Sequence, residues 1–364
     1  MIEFIFAWWW LLLVESLIVA GIIGVIALNA HRLVGDTPKS MAALKAGMGV
    51  TALATFIGYI ALLVGVAKLI GYYTGSTASA SALVWGATLL SAILILLQWL
   101  FSPYLINLFY RARPPQTREE RLLEEELRRI AEVSGIKPPR LRISDLAMPN
   151  AFAYGSPLAG SYVAVTRGLL RIMPPQELRA VLGHEVGHLK HRDISWILAL
   201  SLVPMAIYFI GRALIWSGFL GGGEARERGN PLILVAIGAA LIAASILFKF
   251  LVSHFNRLRE YYADAHGAMA SGSPRYMQRA LARLDLAYKS NPALVEEART
   301  HEAAAMLFIV APLIEASGGF LYDIDSYIDR LRREEPSPLQ ELFSSHPPIP
   351  KRIRFLDRLS LYRE

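Results

Sequence analysis

Two imidazoles and a carboxylate fall within five residues at His184-Glu185-Val186-Gly187-His188. On a helix the histidines are i and i+4, about 40° apart at about 100° per residue, so both rings reach one metal ion. Glu185 stands beside them, placed to touch a water on that metal rather than the metal itself. The chemistry of such a set is zinc-assisted hydrolysis. The metal polarises a carbonyl and lowers the pKa of bound water toward about 7, while the carboxylate takes the proton and passes it to the leaving amine. The competing reading is an amphipathic helix with incidental histidines.

A catalytic zinc takes three protein ligands and keeps one open position. The chain has no cysteine, so thiolate sites and disulfides are excluded and the third ligand is a His or a carboxylate. His191 is i+3 from His188, but one straight helix rarely wraps a zinc with three of its own side chains, so it reads as solvated or interfacial. Ile194 stands where a metzincin has its third histidine, which excludes that arrangement. The better candidate is Glu260, in Arg259-Glu260-Tyr261-Tyr262-Ala263-Asp264. Asp264, i+4 from Glu260, shares its face and can accept the second N–H of a zinc-bound His. The alternative is a solvated acidic face paired with Arg257 or Arg259. His254 and His266 read as interface or core residues. The developing oxyanion needs a donor. The tail offers Ser345-His346-Pro347-Pro348 with Arg352 six residues after the histidine, or else a rigid turn before a basic helix.

Composition says what must position these groups. The chain is 54% hydrophobic with a mean hydropathy of +0.39, too apolar for an ordinary soluble domain. Spans need about 20 apolar residues. Five stretches qualify: Phe4 to Leu28, Ala46 to Tyr73, Leu83 to Tyr110, Ile194 to Phe219, and Pro231 to about Phe250. The first lacks a basic leader and a cleavage site, so it reads as an anchor. Glu15 and Arg212 are the charges lying deep in spans, and they read as a pair or as groups facing the bundle interior. The net charge of +7 does not point to nucleic acid, because the basic residues follow membrane topology. They gather after the first, third and fifth spans, whereas the loop from Thr74 to Ala82 has none and that from Gly221 to Asn230 nets zero. The N-terminus is then outside and the long polar blocks are cytosolic.

The organisation that follows is a membrane domain of three spans over 1–110, a first catalytic block over 111–193, a transmembrane hairpin over 194–253, and a second catalytic block over 254–364. The hairpin returns both blocks to one face, so a single soluble domain can be built from the two. Thr117-Arg118-Glu119-Glu120 is a capping box opening a helix to about Val133, ended by Gly135. Arg140 to Ile143 and Tyr162 to Thr166 read as short strands, with Asn150 to Gly155 as an edge strand between them. Pro174-Pro175 start the motif helix, which reads as running on into the fourth span, and Ser273-Pro274 start another through Tyr288. His184 lies 10 residues before Ile194 and Glu260 lies 10 after Phe250, so continuous helices put each about 15 Å from the hydrocarbon edge.

The chain resembles the HtpX family of integral-membrane zinc metalloproteases. The resemblance rests on Asn150-Ala151-Phe152-Ala153, on His184-Glu185-Val186-Gly187-His188 followed by Asp193, and on Glu260-Tyr261-Tyr262-Ala263-Asp264. Leu307-Phe308-Ile309-Val310 with Pro312-Leu313, and Leu342-Phe343-Ser344-Ser345-His346-Pro347-Pro348 with Arg352, complete it. It implies one zinc per chain held by His184, His188 and Glu260, with Glu185 as general base. It implies that Asp264 supports the site, that His346 and Arg352 lie near it, and that Asn150, Ala151, Phe152 and Ala153 form an edge strand for an extended substrate. HtpX proteins are usually described with four spans, one fewer than the count above. The related CAAX prenyl proteases are longer and have seven.

The fold class expected is a mostly α membrane protein of about five transmembrane helices, carrying a cytosolic α+β zincin-like catalytic domain with a small sheet. The function expected is zinc-dependent cleavage of misfolded or damaged membrane proteins from the cytosolic side of the cell membrane. The alternatives are a processing protease for one site, such as a prenylated C-terminus, and a non-catalytic scaffold that keeps the fold. Expected partners are protein substrates in or at the membrane and the lipid bilayer, without nucleic acid; self-association is left open. Candidate gates over the site are the loop opening with Gly221-Gly222-Gly223, the stretch from Gly272 to Asp329, and the third span.

Overall fold

The computed structural model describes residues 37–220, 231–294, 296–297, 323–344 and 346–360. The expected first span with Glu15, the Gly221–Asn230 loop, the Leu307–Leu313 stretch and Ser345 lie outside these residues. In chain order the elements are helices α1 (Met41–Thr74), α2 (Thr77–Phe109) and α3 (Arg118–Val133), strands β1 (Arg140–Ser144), β2 (Ala151–Ser156) and β3 (Gly160–Thr166), then helices α4 (Arg167–Ile172), α5 (Pro175–Lys190), α6 (Asp193–Leu220), α7 (Pro231–Ser271), α8 (Pro274–Ser290), α9 (Ile324–Arg333), α10 (Pro338–Phe343) and α11 (Ile349–Ser360).

Four of the helices are long and apolar enough to cross a membrane: Met41–Tyr72, Thr77–Phe109, Asp193–Phe219 and Leu232–Ser271. They carry Leu89, Leu90, Ile93, Leu96 and Leu97 of α2 exposed, a row that only a hydrocarbon surround tolerates. The protein is a multi-pass membrane protein, mostly helical, with one small sheet.

The chain divides into two compact units. The first contains the spans through Gly49–Ile95 and Leu198–His254. Its core joins Tyr59, Leu63 and Val66 of α1 to Val84 of α2, Val203, Ile207 and Ile210 of α6 and Leu241 of α7. The second unit contains Asp36–Met48, Leu96–Ile197 and the residues from Phe255 on. Its sheet has the order β1-β3-β2, with β1 parallel and β2 antiparallel to β3. β2 is therefore an edge strand. Gly155 must be glycine there, because a Cβ would stand 2.5 Å from the Gly160 carbonyl oxygen across the hairpin. Leu127 and Ile130 of α3, Ile143 of β1, Val165 of β3, and Leu182 and Val186 of α5 form the core beneath the sheet.

The capping box forms: Thr117 Oγ1 accepts from Glu120 N and the Glu120 carboxylate accepts from Thr117 N. Glu120 does more than cap. Its buried carboxylate takes two bonds from Arg113, at 3.0 and 2.8 Å, one from Gln116 N at 2.7 Å and one from Arg167 at 3.2 Å. The Arg113 guanidinium holds its pKa down at about 2. One expected continuity is corrected. The motif helix does not run into the fourth span: α5 ends at Lys190, Arg192 takes a left-handed φ of 52°, and α6 starts at Asp193. On an unbroken helix Asp193 would lie about 140° around from His188. The break turns it back to touch that ring, at a cost of about 1–2 kcal/mol for one left-handed non-glycine residue.

Helix α5 also approaches α7 at backbone distance. A Cβ on Gly183 would collide with Ala270 Cβ and stand 3.1 Å from Gly267 Cα, and one on Gly267 would stand 2.5 Å from Ala180 O. Two stability predictions follow from these features. Gly183→Ala forces the helices apart and is expected to destabilise the detergent-solubilised protein by about 1–3 kcal/mol, read as a lowered thermal midpoint. Glu120→Gln leaves Arg113 half-paired and is expected to cost about 3 kcal/mol at neutral pH. Because the folded-state pKa of Glu120 lies below its unfolded value near 4.5, this contribution is full above pH 4.5 and fades toward pH 2. Wild type should therefore lose its advantage over the variant across that acid window, and parallel pH profiles would refute the assignment.

Candidate active site

Pro174 and Pro175 start α5 with backbone angles already suited to a first turn, and the helix presents His184, Glu185 and His188 one turn apart. Glu260 comes from α7, across the Gly183–Gly267 contact. Gly187 extends that contact, since a Cβ there would touch His266 Cβ at 3.0 Å. With no side chain between the helices, ligands from both meet. His184 Nε2 lies 3.1 Å from His188 Nε2 and 3.6 Å from Glu260 Oε2, and His188 Nε2 lies 3.4 Å from Glu260 Oε1. These three form the metal-competent cluster among the described residues.

The donor set fits zinc. Bonds of about 2.0–2.1 Å in tetrahedral array place ligand atoms about 3.3 Å apart. The two imidazole nitrogens stand 3.1 Å apart, and they lie 3.6 and 3.4 Å from different oxygens of Glu260. His188 Nδ1 donates to Asp193 Oδ2 at 2.7 Å, so Nε2 turns a lone pair toward the cluster. A lone pair that close to a second imidazole nitrogen and a buried carboxylate calls for a cation between them. His191 and His266 do not join the cluster. The His191 ring stands edge-on to Tyr262, with centroids 4.2 Å apart, and His266 Nε2 bonds Ser134 Oγ at 2.9 Å.

Each histidine is backed by an aspartate, and each aspartate by a buried arginine. Asp193, behind His188, is held by Arg259 at 2.9 Å. Asp264 Oδ1 lies 3.1 Å from His184 Nδ1, a close contact rather than an aligned hydrogen bond. Asp264 is gripped by Arg352 through two bonds of 2.8 and 2.6 Å. The arginine neighbours of Glu260 do not form the surface pairs considered for them. Arg259 serves Asp193, and Arg257 Nη1 donates to the carbonyls of Glu341 and Ser344, at 3.2 and 3.0 Å. Those carbonyls close α10 just before His346. The segment so held puts His346 Nδ1 2.8 Å from Glu260 Oε2. Sequence reasoning assigned no task to Arg257 or Arg259 beyond that surface pairing, and noted Asp193 only as following the motif. Their one sequence signal is adjacency: Asp193 opens a helix five residues after His188, and both arginines lie just before Glu260.

Glu185 is buried, and burial raises its carboxyl pKa, partly offset by His184 and His188. The Ala153 backbone N–H beside it draws the pKa back as well, and α5 packs against the edge strand that carries Ala153. The four residues expected to meet substrate divide in two. Asn150 N donates to Thr166 Oγ1 at 2.8 Å, and the Phe152 ring is buried against Tyr110 and Tyr154. Ala151 and Ala153 are half-exposed.

Residues 117–360 match Peptidase family M48. A "Protease HtpX homolog" of Aeropyrum pernix is 57% identical over 313 residues, covering 86% of this chain and 97% of that protein. Another, from Thermoplasma acidophilum, is 37% identical over 311 residues, covering 84% and 95%. The solved structure titled "Crystal Structure of S. mikatae Ste24p" superposes with a TM-score of 0.47 at 17% identity, over 87% of this chain and 67% of that one. The chain belongs to Peptidase family M48 and is a membrane-embedded metalloprotease, a hydrolase of peptide bonds.

Proposed function

We propose that the protein is a zinc-dependent endopeptidase of membrane quality control, cutting misfolded or damaged membrane proteins from the cytosolic side. One zinc is held by His184, His188 and Glu260. The observation that carries the reading is the convergence of these three donors on one point, beside a buried carboxylate that holds no ligand position. Zinc there supplies a Lewis acid for the scissile carbonyl and an acidified water. In this reading residues 111–193 and 254–364 make one catalytic domain, with 1–110 and 194–253 as its membrane part and the N-terminus outside.

The chain's own groups divide the remaining work. Glu185, with its raised pKa, takes a proton from water and returns it to the leaving amine. Asp193 and Asp264 orient the imidazoles, and Arg259 and Arg352 keep those aspartates charged and fixed. Arg352, bonded to Asp264, and His346, 2.8 Å from Glu260, are the donors beside the site for the oxyanion. An extended substrate lies along β2, using outward backbone groups of Ala151 and Ala153. Asn150 and Phe152 hold that strand in place.

Glu185→Gln is expected to retain zinc while cleavage of an unfolded, casein-like protein falls about 10²–10⁴-fold. Chelation should abolish wild-type cleavage and added zinc restore it. Undiminished cleavage by the variant would sink the mechanism, and a purified protein without zinc would favour a scaffold. A preference for a prenylated peptide over the casein-like protein would point to processing instead. Asp193→Asn removes the acceptor that orients His188 and is expected to weaken zinc affinity about 10–100-fold in competition with a chromophoric chelator. Unchanged affinity would mean that the Asp193–Arg259 pair serves only the helix break.

A further inference from the structure

The register of β2 decides which of its backbone groups face outward. Thr166 N donates to Asn150 O, and the ladder continues with Ala151 opposite Val165 and Phe152 opposite Ala164. In an antiparallel pair, bonding alternates along the strand. Residues 150, 152, 154 and 156 therefore direct their N–H and C=O to β3. Ala151, Ala153 and Gly155 direct theirs to the open edge, where an added strand would pair.

One of those outward groups is engaged, while the Ala153 backbone lies beside Glu185 of α5, the helix packed against β2. The Gly155 carbonyl accepts from Trp99 Nε1 at 3.1 Å. Trp99 belongs to α2, whose C-terminal part is fixed along β2 by two further bonds. Ser156 Oγ donates to Leu100 O at 3.3 Å, and Tyr154 OH to Asn107 Oδ1 at 2.6 Å. The indole N–H therefore makes the bond that a substrate amide would make at the next ladder position, and it is held there by the whole helix end.

We propose that Trp99 is a specificity-determining residue: by taking the last outward carbonyl of β2 it ends the peptide ladder at Gly155. The inference rests on the proposed pairing of substrate with β2. The scissile bond lies near Glu185 and hence near Ala153. A peptide extended toward Ala151 gains the bonds of that residue, the last outward position before Pro149, while one extended toward Gly155 finds its carbonyl taken by the indole. The enzyme then reads its substrate to unequal lengths on the two sides of the cut.

The test uses full-length, zinc-loaded protein in detergent and quenched fluorescent peptides that share one cleavage site, lengthened residue by residue on either side. In wild type, kcat/KM should climb with length on one side and level off within about two residues on the other. Trp99→Phe keeps a ring but lacks the N–H, so a longer peptide can bond the Gly155 carbonyl. Within that variant, the ratio of kcat/KM for long to short peptides on the levelled side should rise about three- to tenfold over wild type, the worth of one hydrogen bond. Trp99→Ala, which also removes the ring, should raise it at least as much. A wild-type gain on one side with an unchanged ratio in Trp99→Phe overturns the cap and leaves β2 pairing standing. Equal gains on both sides in wild type also overturn the cap. Length dependence on neither side overturns the pairing and the cap together.

Discussion

The close crossing of α5 and α7 is the constraint on which the site depends. Three groups that could hold a metal ion come from two helices, with His188 and Glu260 72 residues apart, and must come within a few ångströms. Ordinary helix pairs stand 8–10 Å apart with side chains between them. Here Gly183, Gly187 and Gly267 remove those side chains, and Ala180 O, Gly267 Cα and His266 Cβ fill the contact. Gly187 is thus more than a spacer within the motif. It is the point at which the motif helix meets the helix of the third ligand.

The crossing has an electrostatic consequence. It buries His184 and Glu260 and half-buries His188, with Asp193 and Asp264 buried behind them, where unpaired charge is costly. Arg259 and Arg352 answer the aspartates one for one. The ligand carboxylate Glu260 has instead His346 at 2.8 Å and Arg352 Nη1 at 3.8 Å. The strong bidentate grip is spent behind the ligands, and the ligand itself keeps weaker company. A cation bound at the cluster would then be the main partner of Glu260, with Asp193 bonded to His188 and Asp264 in contact with His184 on their far sides. Arg257 completes the frame, since the carbonyls it binds fix the turn that carries His346.

Much of this was readable in the sequence where a pattern is local. The capping box at Thr117, the proline start of α5, the alternating segment after Pro149 and the four apolar runs within the described residues each announce themselves within a few residues, and each forms. The metal cluster could be proposed from spacing because helical geometry fixes i and i+4. What escaped was decided between distant segments. Continuity of α5 with α6 was the natural reading of an uninterrupted sequence without glycine or proline. It fails because Asp193 is drawn back to His188 and Arg259, an interaction invisible to helix periodicity. Arg257 and Arg259 looked like surface partners because their true acceptors lie 84 residues ahead and 66 behind in sequence. Trp99 looked like one more apolar residue of a span, and only the register of β2 gives its N–H a meaning.

The edge strand links this geometry to the kind of protein such an enzyme can cut. A folded protein has nearly all its backbone N–H and C=O groups paired, and so offers nothing to a ladder position. With residues 150, 152, 154 and 156 committed to β3 and Gly155 taken by Trp99, β2 has outward groups left at Ala151 and Ala153. A short ladder gives little binding energy, at roughly 0.5–1.5 kcal/mol for each hydrogen bond. That is too little to unravel a folded domain of marginal stability, about 5–15 kcal/mol. It suffices to align a segment already extended and unpaired. Selectivity for damaged chains then needs no separate recognition of damage. It follows from an edge too short to compete with a native fold, set in a membrane protein whose surroundings are other membrane proteins.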